Sequence, residues 1–129
     1  MAQLYSGKSR WSPIMSNKTI SIAKDYSVTP AGRYFTDGTY SGQRFREEFL
    51  YPALQEYDQV EINLDKTLGY GSSFLEEAFG GLIREKGMKL DDVKNKINIV
   101  SSRISYKNRI LKYLEDAQLE KNKKNIPSQ

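Results

Sequence analysis

Residues 60–82, VEINLDKTLGYGSSFLEEAFGGL, decide how this chain is read. Val60, Ile62 and Leu64 alternate with polar residues and predict a strand with one buried face. A turn with Gly69 and Gly71 follows. From Ser73 onward, Leu75, Ala78, Phe79, Leu82 and Ile83 recur at helical spacing and predict one buried helix face. The turn delivers Ser72 and Ser73 to the start of that helix. Free backbone N–H groups and a partial positive charge at a helix N-terminus stabilise a phosphate or another anion. The same geometry serves a phospho-switch, an anion site or a plain helix cap. Ser73 with Glu76 three residues on has the form of a capping box, which leaves Ser72 as the more exposed serine.

Outward from this stretch, more strands alternate with helices. Ile20–Ala23 and Ile97–Ser101 read as strands, and Asp25–Gly32 reads as a loop. Asp37-Gly38 is a tight-turn signal between β-favouring aromatic residues. A helix is expected from about Ser41 to Tyr57, with Phe45, Phe49, Ala53, Leu54 and Tyr57 on its inner face and a kink or break at Pro52. The helix from Ser73 should end at Lys86-Gly87, where glycine suits a left-handed cap. Residues 90–96 read as a helical turn or loop. The last helix is expected over about Arg103–Glu120, with Ile110, Leu111, Leu114 and Ala117 facing inward. This order implies an α/β fold with a small central sheet of about four strands packed with helices.

The chain has 129 residues, enough for one core. It has no cysteine and no histidine, which removes disulfides, thiol and imidazole catalysis, and most transition-metal sites. GYGSS is not the nucleophile-elbow pattern, and GYGSSF has only two glycines of a dinucleotide fingerprint. Adjacent pairs such as Glu47/Glu48, Glu76/Glu77 and Asp91/Asp92 point about 100° apart on a helix, so they do not form an acid/base pair. No enzyme, no cofactor and no metal are therefore expected. No apolar run spans a membrane, and no secretory leader is seen at the N-terminus; a cytoplasmic location is the expectation. The net charge of +4 sits mainly at the ends, with Lys8, Arg10 and Lys18 near the start and Lys121, Lys123 and Lys124 near the finish. Residues 1–18 are expected to be a flexible basic arm pinned by Trp11, and residues 121–129 a disordered basic tail. Nucleic acid is not the expected partner of such solvated ends.

A second motif surrounds Arg33, Ser41, Gly42, Arg44 and Arg46. Guanidinium groups beside a helix start suit an anion or nucleotide. The alternative is a turn and cap whose arginines are solvated or paired with Asp37, Glu47 or Glu48.

The segments GRYFTDGTYSGQRFREEFLYPAL (32–54) and LGYGSSFLEEAFGGL (68–82) resemble the signature of STAS-like proteins of undefined function, relatives of the anti-sigma-factor antagonists. The resemblance covers residues 20–118. It implies a STAS-like domain over about 19–120 and a regulatory role without catalysis. It also implies a protein partner docked through Gly69, Tyr70, Gly71, Ser72, Ser73 and Phe74 and the helix after them, with a possible switch at Ser72. Relatives often accompany an ATPase of the histidine-kinase type, the partner so implied. Antagonists of the well-understood kind carry Asp-Ser-Ser-Gly at the turn, where this chain has Gly71-Ser72-Ser73-Phe74. The other reading is a nucleotide- or anion-sensing domain using Arg33, Ser41, Gly42 and Arg44.

Overall fold

A computed structural model describes residues 16–124. Trp11 and most of the expected arm, and the tail beyond Lys124, lie outside those residues. The described chain has three strands: β1 (Asn17–Ser21), β2 (Gln59–Asn63) and β3 (Ile97–Val100). They form one parallel sheet in the order β1-β2-β3. Parallel neighbours require crossovers, and helices supply them. Helix α1 runs over residues 42–56 in three contiguous parts, Gly42–Phe45, a π-helical Arg46–Leu50 and Tyr51–Glu56. Helix α2 runs over 72–84 in the same manner, as Ser72–Leu75, a π-helical Glu76–Gly80 and Gly81–Arg84. Helices α3 (Leu90–Lys96) and α4 (Ile104–Lys124) complete the fold.

The sheet has three strands among the described residues, not the four expected. The aromatic segment around Asp37-Gly38 is not extended. The Asp37 carboxylate turns back to accept the N–H groups of Arg33 (3.1 Å) and Tyr34 (2.8 Å), and Phe35–Asp37 becomes a 3-10 turn. A local side-chain acceptor thus satisfies backbone groups that a strand would have paired. A similar device ends β1 early. Ser21 caps a single π turn, Ile22–Tyr26, by accepting from the Lys24 N–H, while Asp25 accepts from Ser21. The strand therefore lies upstream of its expected place and takes Asn17 and Lys18 out of the arm. At the other end, α4 continues through Lys124, so residues 121–124 are helical rather than part of a disordered tail.

The register aligns Ile20, Ile62 and Ile99 across the sheet, and Val60 with Ile97. Side chains alternate along a strand. The core face thus carries these apolar residues, and the row Thr19, Glu61 and Asn98 is polar. Every expected inner residue of α2 is buried: Leu75, Ala78, Phe79, Leu82 and Ile83. So are Phe74, Glu77, Gly80 and Gly81, because α2 is enclosed by α1, α4 and the loop before α1. On α1 the phase differs from expectation. Leu50 is fully buried, while Phe49 and Tyr57 are only partly so. The π segment adds a residue to one turn, which rotates the inner face, and it places Pro52 in the first turn of the next segment, where its missing N–H costs little. Gly87, with φ +75, ends the region after α2 in the left-handed conformation expected of it.

Gly42 sits where α1 and α2 cross. A Cβ at this position would collide with the Phe74 carbonyl oxygen. Gly42→Ala should therefore destabilise the domain by about 1–3 kcal/mol, because backbone rather than a pliable side chain must give way. Urea unfolding measures this; an unchanged midpoint would show that the two helices are not in close contact there.

Candidate functional site

The turn between β2 and α2 leaves the sheet at the carboxyl ends of the strands, the edge where open α/β sheets bind ligands and partners. Asp65 accepts hydrogen bonds from the N–H (2.8 Å) and hydroxyl (2.9 Å) of Ser102, joining this turn to the one after β3. These two bonds hold the Asp65 carboxyl below its ordinary range. Tyr70 points inward. Its hydroxyl donates to the Leu64 carbonyl at 2.7 Å, and its ring meets Phe74 and Tyr106. Burial pushes the Tyr70 phenol up to about 12. Leu68 and Gly71–Ser72 are left facing solvent. Leu68 is 85% exposed and donates its N–H to the Val28 carbonyl; Val28 itself is 51% exposed. Tyr40, also exposed, stands edge-on to Tyr26, which in turn lies against Phe45 and Phe74.

Six residues were expected to form a docking turn, and the fold divides them. Tyr70 and Phe74 belong to the core. Gly71 and Ser72 are exposed, and Gly69 and Ser73 are half-buried. The surface the sequence missed is Leu68 with Val28. Its signal was an isolated apolar residue among the polar and glycine residues of the turn, past the end of the strand and before the start of the helix.

The capping box at Ser73 is not formed. Gly71 is the N-cap, with extended backbone (φ −78, ψ 159), and no side chain caps the helix. Ser73 is already inside the first turn. Glu76 turns away to accept from Arg33 and Arg84. The N–H groups of the first turn therefore lie open beside the exposed Ser72, as helix geometry requires when no cap is present. Ser73→Ala should change stability by less than about 0.5 kcal/mol. Gly71→Asp should raise it by about 0.5–1 kcal/mol, since the position has open space for a Cβ, a carboxylate caps well and the glycine entropy is removed. Melting curves in which Ser73→Ala is the damaging change would reverse this assignment of the cap.

The second motif is drawn into an ion cluster between the loop before α1, α1 and α2. Arg46 is 2% exposed and donates through Nη1 to the Glu77 carboxylate and to the Glu77 carbonyl, both at 2.7 Å. Its Nε donates to Glu47 at 2.8 Å, and Glu47 also accepts from Lys86 at 2.8 Å. Burial by itself raises the Glu47 pKa; the hydrogen bonds from Lys86 and Arg46 outweigh it and hold the carboxyl below its ordinary value. Arg33 and Arg84 both reach Glu76 and Glu77. Hydrogen bonding to Glu76 raises the Arg33 pKa. Arg44 pairs with Glu48 at 2.7 Å and stacks over Phe35. Ser41 is buried; its hydroxyl caps α1 by accepting from the Arg44 N–H at 3.2 Å. The adjacent carboxylates of Glu76 and Glu77 thus do share partners, because two long guanidinium side chains span the angle between them.

No helix among the described residues is long and apolar enough to cross a membrane. Three parallel strands packed with helices, and a serine-bearing turn at the head of the central helix, define an α/β architecture of the STAS-like kind. Residues 41–106 match the model of the STAS-like domain of unknown function (DUF4325), and the chain belongs to that family. The match runs from the cap of α1 into α4 and includes the β2–α2 turn; the GRY-DG segment lies before it. No curated protein and no solved structure is similar enough to the chain to match it.

Proposed function

We propose that this domain is a non-enzymatic regulatory module that docks a partner protein on the surface formed by Leu68, Val28, Gly71 and Ser72. One observation carries the reading: a nearly bare leucine lies four residues before an exposed serine at the uncapped start of the central helix, both in the one turn after β2. An apolar contact residue next to a modifiable hydroxyl is the combination a switchable interface needs. Phosphate on Ser72 would add about −1.5 to −2 charges at pH 7, and the open N–H groups of α2 would accommodate that charge without unfolding the domain. The resemblance to anti-sigma-factor antagonists points to an ATPase of the histidine-kinase type as the partner. The nucleotide- or anion-sensing reading is the weaker one, because Arg33 and Arg44, the cations it requires, are already engaged by Glu76, Glu77 and Glu48.

Co-purification from the native host with mass spectrometry identifies the partner, and calorimetry then tests the surface. Leu68→Asp should weaken binding at least about tenfold, since an unpaired carboxylate buried in an apolar contact costs more than the ~1.4 kcal/mol that tenfold represents. The fold should be intact. Ser72→Asp should shift affinity in a direction set by the charge of the facing surface. Wild-type affinity in both variants would remove this turn from the interface.

A further inference from the structure

Strand β3 ends the sheet, and no strand among the described residues lies along its outer edge. An open edge presents unpaired N–H and C=O groups to any further extended segment. Beside this edge, between β3, α3 and α4, runs a groove of 220 Å³ whose wall is mainly Ile97, Ile99, Ile110, Leu111 and Leu114. Ile97 and Ile99 are only half-buried, although their register partners Val60 and Ile62 are completely enclosed. Leu111 stands exposed on the α4 side. The charged residues lining the groove are Lys94 and Lys107, with no carboxylate among the lining. Neither lysine has an ion-pair partner among the described residues.

We propose that this edge is a strand-addition site for an extended segment of a partner protein, apolar at alternate positions and acidic at its ends. Main-chain pairing along β3 would supply affinity, and alternate side chains entering the groove would supply selectivity. Carboxylates at the ends of the segment would meet Lys94 and Lys107. A second copy of this chain fits poorly, because a two-fold edge-to-edge pair would bring the same two lysines from both copies to one interface. The site shares no residue with the Leu68–Ser72 surface, so either reading can fail without the other.

The test uses the full chain, isotope-labelled for NMR, and a capped peptide Asp-Val-Thr-Ile-Thr-Asp, with its counterpart Lys-Val-Thr-Ile-Thr-Lys. The acidic peptide should shift the amides of residues 97–100 and slow exchange at Ile99. The lysine-ended peptide should bind roughly tenfold more weakly, the sum expected from two exposed ion pairs. Lys94→Glu combined with Lys107→Glu, both exposed positions, should reverse that order. Leu111→Asp should abolish binding of the acidic peptide. Equal binding of the two peptides, or shifts centred elsewhere, would overturn the proposal. So would an Ile99 amide protected in the free protein, because the chain's own end would then fill the groove. Protection that grows with protein concentration alone would assign the edge to a second copy and equally overturn it.

Discussion

Phe79→Ala is expected to lower the free energy of unfolding by about 3–5 kcal/mol. The ring is completely buried on α2, the helix that touches both α1 and α4. Truncation removes the transfer free energy of the ring and leaves a cavity that two rigid helices cannot close. Domains of this size are stable by only about 5–15 kcal/mol, so the loss takes a large fraction of the total. Urea denaturation followed by circular dichroism is the measurement. A midpoint within error of wild type would mean that the inner face of α2 is turned away from the core, and the architecture would have to be redrawn.

Glu77→Ala should cost about 3 kcal/mol, a loss much larger than a surface ion pair would produce. Arg46 and Glu77 are almost fully enclosed, and the substitution leaves the guanidinium with the Glu77 carbonyl and Glu47 as its remaining partners. A double variant, Arg46→Met with Glu77→Leu, should recover most of the loss, because it removes the buried charge along with its partner. Thermal melts of the two single variants and the double variant form a cycle. A Glu77→Ala loss below about 1 kcal/mol, or a double variant no better than the single, would show that the pair is hydrated. The cluster also makes a clear statement about pH. The Glu47 pKa is lowered in the folded state, so its contribution is present above the ordinary carboxylate range and fades as pH falls through the lower, folded-state value.

Charge burial explains why part of the candidate site was hidden in the sequence. Arg46 and Glu77 are 31 positions apart, and each lies in a run of ordinary charged helix residues. Nothing local distinguishes an arginine that crosses to the next helix from one that faces water. Arg33 and Arg44 read equally well as anion ligands until their carboxylate partners come into view. The turn between β2 and α2 lies where the sequence put it along the chain, but which of its residues face outward was not legible. Tyr70 is drawn inward by the Leu64 carbonyl, and Phe74 by the aromatic neighbours Phe45 and Tyr26, so Leu68 is left outside.

Where one periodic pattern lies within one element, the chain alone was sufficient. The alternation of Val60, Ile62 and Leu64 and the spacing of Leu75, Ala78, Phe79, Leu82 and Ile83 identify β2, α2 and their buried faces, since hydrophobic period reports local geometry directly. The absence of cysteine and histidine also restricts the available chemistry before any fold is known. Tertiary structure alone decided the number of strands, the phase of α1 after its π segment, the uncapped start of α2 and the pairing of Arg33, Arg46 and Arg84 with Glu76 and Glu77; the pairs Arg44–Glu48 and Arg46–Glu47 were among those the sequence offered. Each of these depends on a competition between a local hydrogen bond or rotation and a distant partner. Asp37 wins that competition close to home, whereas Glu76 is won by Arg33 and Arg84 from farther along the chain. Such outcomes turn on which groups the packed helices bring within about 3 Å of each other, a distance that sequence spacing does not encode.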